Sequence, residues 1–262
     1  MLFYQEWGKM TTPKIKTTSV NDSRIYHWDG DKFPSVTSVI DRLPKPGLKY
    51  WAANKVAEAA IERGRVLTQA DYNWLKRAPE RDLHNAATMG SNVHDTLDRI
   101  VTGESVDIKG DERPFIDGFE QFANKFQPEF IKTEETVVGH IDDLGYAGSF
   151  DAYINLDGEK WLIDFKTTRS GIHPEVGIQL SAYANADKII HPDGEEEPMP
   201  EVDRLGVLWL RPDAWKFVAI NQNPELMETF EALLKSWHYE QTWKKKIIGE
   251  VMASGSSSSA PF

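Results

Sequence analysis

Three side chains in one short stretch could do metal chemistry together. They are Asp151, Asp164 and Lys166, within YAGSFDAYINLDGEKWLIDFK at 146–166. The stretch reads as two β-strands joined by Asn155-Leu156-Asp157-Gly158, with Asp-Gly the strongest turn dipeptide in it. A hairpin closed there brings Asp151 near Asp164. Period-2 alternation puts Asp164 and Lys166 on the same face of the second strand. An acid and a base at the end of an apolar strand are costly to bury without a partner. A divalent cation is such a partner, because hard cations take oxygen ligands from Asp and Glu. An edge salt bridge is the simpler use of the Asp164–Lys166 pair.

Other short motifs surround this stretch. Gly90-Ser91-Asn92-Val93-His94 opens a helix upstream, and Gly177-Ile178-Gln179-Leu180-Ser181-Ala182-Tyr183 follows on another. Gln179 and Tyr183 are one helical turn apart and share a face. Glu134 and Glu135 lie on a strand before the hairpin; next-door acids point to opposite faces, so only one of them reaches a given site.

Taken in order, GSxVH, E-x-x-V, YAGSFD, IDFKTT and QLSAYA resemble the RecB-like branch of the PD-(D/E)xK nuclease superfamily, and within it the phage-type and CRISPR-associated exonucleases. The motifs cover 85–190, with a looser likeness at Pro34-Ser35-Val36-Thr37-Ser38-Val39-Ile40. The resemblance implies an α/β fold with a restriction-endonuclease-like core: a mixed central sheet flanked by helices, preceded by a helical N-terminal region. It implies a Mg²⁺- or Mn²⁺-dependent deoxyribonuclease digesting DNA from its ends in phage-type replication, recombination or repair. DNA, single- or double-stranded, is then the partner, alongside a recombination or single-strand-binding protein.

Carried onto this chain, the resemblance makes Asp151, Asp164, Lys166, Gln179 and Tyr183 catalytic. One or two metal ions would be held by His94, Asp151, Asp164 and the Phe165 backbone carbonyl, with Glu134 as a further ligand and Glu135 as its rival. Imidazole beside carboxylates suits Mn²⁺ better than Mg²⁺. Lys166 would orient the nucleophile and offset charge in the transition state. Thr167, Arg169 and, more remotely, Lys244 would contact phosphate. Two alternatives stay open: a structure-specific endonuclease of the same fold, or an inactive nucleic-acid-binding protein. A glycoside hydrolase using Asp151 and Asp164 needs no lysine, and no aromatic sugar platform accompanies the hairpin.

Composition bounds these readings. The chain has 262 residues, 40% hydrophobic, and no cysteine. It therefore has no disulfide framework, no catalytic thiol and no thiolate-held iron–sulfur cluster such as some RecB-like exonucleases carry. The net charge of −11 counts against a polyanionic partner, although much of the acidity sits in Asp193, Glu195, Glu196, Glu197 and Glu201 of one Pro-rich stretch. No apolar run reaches the roughly 20 residues of a membrane span, and the N-terminus lacks a signal-peptide core. The expectation is a soluble, cytoplasmic protein, in the host cell if phage-encoded.

The elements that must position these residues follow from periodicity. A small hairpin is expected at 25–33, and helices at 36–43, 50–63, 68–77, 86–102, 115–126, 174–188 and 225–250. Strands are expected at 129–138, 145–154, 160–167, 203–210 and 214–220. Tyr72 and Trp74 read as packing aromatics. The organisation expected is a single domain over 1–250, comprising a mostly helical region at 1–80, a catalytic core at 85–220 and a C-terminal helix at 223–250. A flexible Ser-rich tail follows at 251–262.

Overall fold

The computed structural model describes residues 15–20, 23–244 and 246–255, so most of the expected tail lies outside the described residues. Among the described residues the N-terminal region opens with a three-stranded sheet, one strand more than the expected hairpin, ahead of its helices. Strands β1 (Lys16–Val20), β2 (Ser23–Trp28) and β3 (Asp31–Pro34) form an antiparallel meander. Asp29 and Gly30 both have positive φ, as a two-residue hairpin turn requires. Ser35 then caps α1 (Val36–Ile40), its side chain accepting from the Ser38 amide. Helix α2 (Leu48–Glu62), a 3-10 turn at Gln69–Asp71, α3 (Tyr72–Lys76), the long α4 (Ala78–Val101) and α5 (Arg113–Phe126) follow.

The rest of the chain holds β4 (Glu129–Thr133), β5 (Thr136–Ile141), β6 (Leu144–Ser149), β7 (Ala152–Leu156), β8 (Glu159–Lys166), α6 (Glu175–Ala184), β9 (Lys188–Ile190), β10 (Glu196–Pro198), β11 (Arg204–Arg211), β12 (Ala214–Ile220) and α7 (Pro224–Thr242). The fold is α/β, with a mixed five-stranded sheet in the order β12-β11-β8-β7-β4, in which only β8 and β11 run parallel. A second, antiparallel sheet has the order β10-β9-β5-β6.

Two strands expected to be continuous are broken. The 129–138 strand divides at Glu134-Glu135, and the 145–154 strand divides at Phe150-Asp151. The two breaks face each other: the Glu134 amide donates to the Asp151 carbonyl at 3.1 Å, and the Phe150 amide to the Glu135 carbonyl at 3.2 Å. A single two-stranded ribbon thus leaves one sheet, bends, and enters the other. Glu134 makes the bend with φ +50°, a left-handed conformation uncommon for a residue with a side chain.

Alternation along β8 and β11 sorts the core. Ile163, Phe165, Leu208 and Leu210 pack beneath Val93 and Leu97 of α4 and the phenylalanine stripe of α5. Leu162, Leu205 and Val207 face the other way, onto α1, α6 and α7. The helix expected at 174–188 ends at Ala184, because Ile189 and Ile190 are buried as a strand against β5. The helix expected to reach 250 stops at Thr242. Ile247 and Ile248 beyond it are 58% and 83% exposed, with no core to hold a further turn. Among the described residues no helix is long and apolar enough to cross a membrane.

Candidate metal centre

The bend in the ribbon is where the chemistry collects. Register pairs Ala152 with Ile163, so Asp151, one residue before β7, stands opposite Asp164. Asp157 and Gly158, both at positive φ, close the hairpin as their sequence predicts. The Phe165 amide donates to Asp151 Oδ2 at 2.5 Å, which fixes that carboxylate and leaves Oδ1 free to turn outward. His94 reaches in from α4 on one face of the sheet; Gln179 and Tyr183 come from α6 on the other. They meet at the ends of β7 and β8 in an open cleft of about 730 Å³.

One set of ligand atoms faces a common point. His94 Nδ1 lies 3.4 Å from Asp151 Oδ1 and 3.9 Å from Glu134 Oε1. One donor atom from each of the three residues falls within 4.8 Å of the other two. Glu134 takes this place because of its left-handed backbone; Glu135 turns aside to His191, 3.2 Å away. The Phe165 carbonyl, expected as a ligand, faces His94 Nε2 at 2.8 Å instead. A carbonyl only accepts, so Nε2 carries a proton; Nδ1 faces the carboxylates, carrying the second proton in the cation-free site and yielding it where it would ligate a cation. That makes the carbonyl an orienting group, in the manner of a backbone acceptor behind a ligating histidine.

The second set centres on Asp164, 4% exposed at its side chain. Lys166 Nζ lies 2.8 Å from both of its oxygens, but only Oδ1 receives a well-directed hydrogen bond. Gln179 Nε2 also donates to Oδ1, at 2.9 Å. Oδ2 is left buried without a hydrogen-bond partner among the described residues. Gln179 Oε1 accepts from Lys166 at 3.4 Å, and the Tyr183 hydroxyl lies 3.5 Å behind Gln179. Tyr183 is buried, which pushes its phenol well above the ordinary value and keeps it protonated.

These groups perturb one another strongly. Burial works against charge on the His94 imidazole, but the neighbouring carboxylates, Asp151 foremost, outweigh it and raise the group to about 9. Burial, with repulsion from Asp151, raises Glu134 to about 8. Burial likewise raises Asp164 to about 6, against the pull of Lys166. Asp151 is held below its usual value: burial opposes this, and the charge and hydrogen bond of His94 prevail. Two of the three acids are thus crowded above their usual values, and a protonated histidine helps to balance Asp151. An imidazole with carboxylates is a donor set that fits a divalent cation, and Asp164 Oδ2 beside it has no directed hydrogen bond among the described residues.

Other expected residues fall differently. Thr167 borders the cleft through Gly90, where an added Cβ would lie 3.2 Å from its Oγ1. Arg169 is 65% exposed and turns to Asp82, 3.4 Å away. Lys244, 67% exposed, lies beyond α7 beside Glu240, and does not line the cleft. Sequence reasoning missed Asp98, which lines the cleft one turn after His94 with a buried Oδ1 lacking a partner among the described residues. Its i+4 spacing from His94 was the available signal.

No known family's sequence model matches the chain, and no curated protein matches it. Among solved structures, one titled "Crystal structure of SSO0001" aligns at 16% identity with a TM-score of 0.36, covering 75% of this chain and 87% of that one. A likeness that low carries no argument about this protein's fold or activity.

Proposed function

We propose that this protein is a Mg²⁺- or Mn²⁺-dependent DNA exonuclease of the PD-(D/E)xK superfamily, of the RecB-like, phage-type branch. On this reading the five-stranded sheet is a restriction-endonuclease-like core, and the protein works in phage-type replication, recombination or repair in the host cytoplasm. One observation carries it: Asp151, Asp164 and Lys166 converge in one open cleft, with His94 and Glu134 completing an acidic cation pocket.

His94, Glu134 and Asp151 would hold the cation, with Asp164 Oδ2 beside them. When bound, the ion supplies Lewis-acid activation of water and neutralises phosphate charge. Lys166 keeps its proton: burial alone would lower its pKa, but Asp164 and Asp151 raise it. It is therefore a permanent donor to a water or a non-bridging phosphate oxygen, aimed before reaction begins. Gln179 holds both Asp164 and Lys166 and so sets the angle between them; Tyr183 backs Gln179. His94 is kept in one tautomer by the Phe165 carbonyl.

The test is incubation of end-labelled linear single- and double-stranded DNA with Mn²⁺, next to a covalently closed circle. Progressive shortening of the linear forms with the circle intact is expected. Nicking of the circle would move the reading to an endonuclease, and linear DNA left whole would remove it.

A further inference from the structure

A second cavity lies on the same face of α4 as the candidate metal centre. It is an open hollow of about 620 Å³, lined by Trp74, Arg77, Glu80, Arg81 and His84 among others. At 3.6 residues per turn, Glu80, His84, Arg77 and Arg81 stand about 40°, 80°, 100° and 140° round the helix from His94, all to the same side. The cleft-lining residues Ser91, Asp95, Asp98 and Thr102 fall in the same sector. One helix face therefore runs without interruption from the acidic centre to this cavity.

The cavity is basic and aromatic in a chain of net charge −11. Tyr72 and Trp74, expected in the core, are not packed there: Tyr72 is 56% exposed, and Trp74 is half-buried under cations. The Arg63 and Arg81 guanidiniums lie 4.0 and 4.5 Å from the Trp74 ring. Arg81 is also tied to the Trp74 carbonyl at 2.6 Å, so its planar guanidinium is held in place before any ligand arrives. Among the described residues, Arg77 and His84 have no side-chain hydrogen bond or ion pair. A fixed guanidinium plane with an unpaired arginine and an imidazole beside it suits unstacked bases and phosphates.

We propose that this cavity is a subsite for single-stranded nucleic acid, gripping the strand whose end lies in the acidic centre. The substrate class rests on the nuclease reading above. The path length is fixed by the helix. At 1.5 Å per residue, His84 and Arg77 lie about 15 and 25 Å along the axis from His94. At about 3.4 Å per nucleotide along a stacked strand, eight nucleotides span this path and four fall short of Arg77.

The experiment is fluorescence anisotropy with labelled oligothymidylates of 4 and 12 nucleotides in Ca²⁺, followed by hydrolysis of the same oligomers in Mn²⁺. The wild type is expected to bind the 12-mer at least tenfold tighter than the 4-mer, and R77E/H84E to bring the 12-mer down to the level of the 4-mer. Both residues are exposed, and R77A/H84A, with an unchanged melting curve as its control, should give a smaller loss of the same sign. Length-dependent binding lost in these variants, without any hydrolysis by the wild type, would support the subsite and sink the nuclease reading. Hydrolysis of the 12-mer with unaltered affinity in R77E/H84E would overturn the subsite and leave the nuclease reading standing. Equal affinity of the wild type for both lengths overturns the subsite as well.

Discussion

Lys166 and Asp164 illustrate how a pair can serve stability and chemistry at once. The carboxylate is almost fully buried, and its charge is tolerated because the ammonium lies 2.8 Å away. Removing Lys166 leaves an uncompensated buried acid. Lys166→Ala should lower the cation-free stability by about 2 kcal/mol, below the range for fully enclosed pairs because the cleft admits water. Mn²⁺ should return most of that loss, since the ion supplies the missing positive charge. Turnover should still fall by about 10²–10³, the usual effect of deleting a preorganised electrostatic donor. Thermal melts in EDTA and in Mn²⁺, with single-turnover rates, check both halves; a rate within tenfold of the wild type removes Lys166 from the chemistry. At this scale much was legible from the residues. The Asp157-Gly158 turn and the alternation in β8 were enough to bring Asp151, Asp164 and Lys166 together. The role of the Phe165 carbonyl was not, because a histidine one helix away consumes it, and no spacing in the sequence reports that contact.

Elements show where reading by period runs out. Periodicity locates α5, β11 and β12 almost to the residue, since α5 buries one continuous stripe and the two strands are short apolar runs on either side of the Pro212-Asp213 turn. It does not see the bend at Glu134 and Asp151, because both halves of each broken strand keep an apolar pattern while changing sheets. The bend brings β6 close to α6, and Gly148 is the point of closest approach: a Cβ there would overlap the Tyr183 ring. Tyr183 is buried and cannot swing away. Gly148→Ala should therefore cost about 1–3 kcal/mol by overpacking, seen as a lower urea midpoint at constant slope. It should also slow turnover by disturbing Gln179; an unchanged midpoint would show that α6 slides freely. The helical arm offers a pH prediction. Arg65 forks onto Asp71 at 2.6 and 2.9 Å, and Thr68 adds its amide and hydroxyl. The Arg65 hydrogen bond foremost, and those of Thr68, lower the Asp71 carboxyl from 3.8 to about 2. A depressed acid contributes stability that is complete above its unfolded value and disappears as pH falls through its folded one. The difference in melting temperature between wild type and Asp71→Asn should thus be flat from pH 7 to about 4 and shrink steadily towards pH 2. A difference that grows on acidification would mean that Asp71 is not the ionised partner.

The whole molecule presents a difficulty that the local geometry must overcome: an acidic protein is asked to hold a polyanion. Diffuse attraction is absent at a net charge of −11, so binding has to come from a few placed cations and from the ion in the acidic pocket. Among the described residues Arg24, Arg99 and Lys166 line the cleft and Arg77 and Arg81 the second cavity; Lys166, Arg77 and Arg81 are the three assigned to phosphate on the proposed path. Each phosphate neutralised on a single strand releases counterions, giving about −0.7 in the slope of log affinity against log salt. Three contacts predict a slope of about −2 for a 12-nucleotide strand at fixed Ca²⁺, read from anisotropy titrations over a range of KCl. Arg77→Ala should make that slope shallower by about 0.7, because one phosphate contact is lost. A slope of −6 or steeper would require a broad basic track, and the path along α4 would then not be the one the strand follows. Chelating the Ca²⁺ should weaken binding at every salt concentration, since the strand then loses the ion's charge and meets the Asp151 and Asp164 carboxylates offset only by His94 and Lys166.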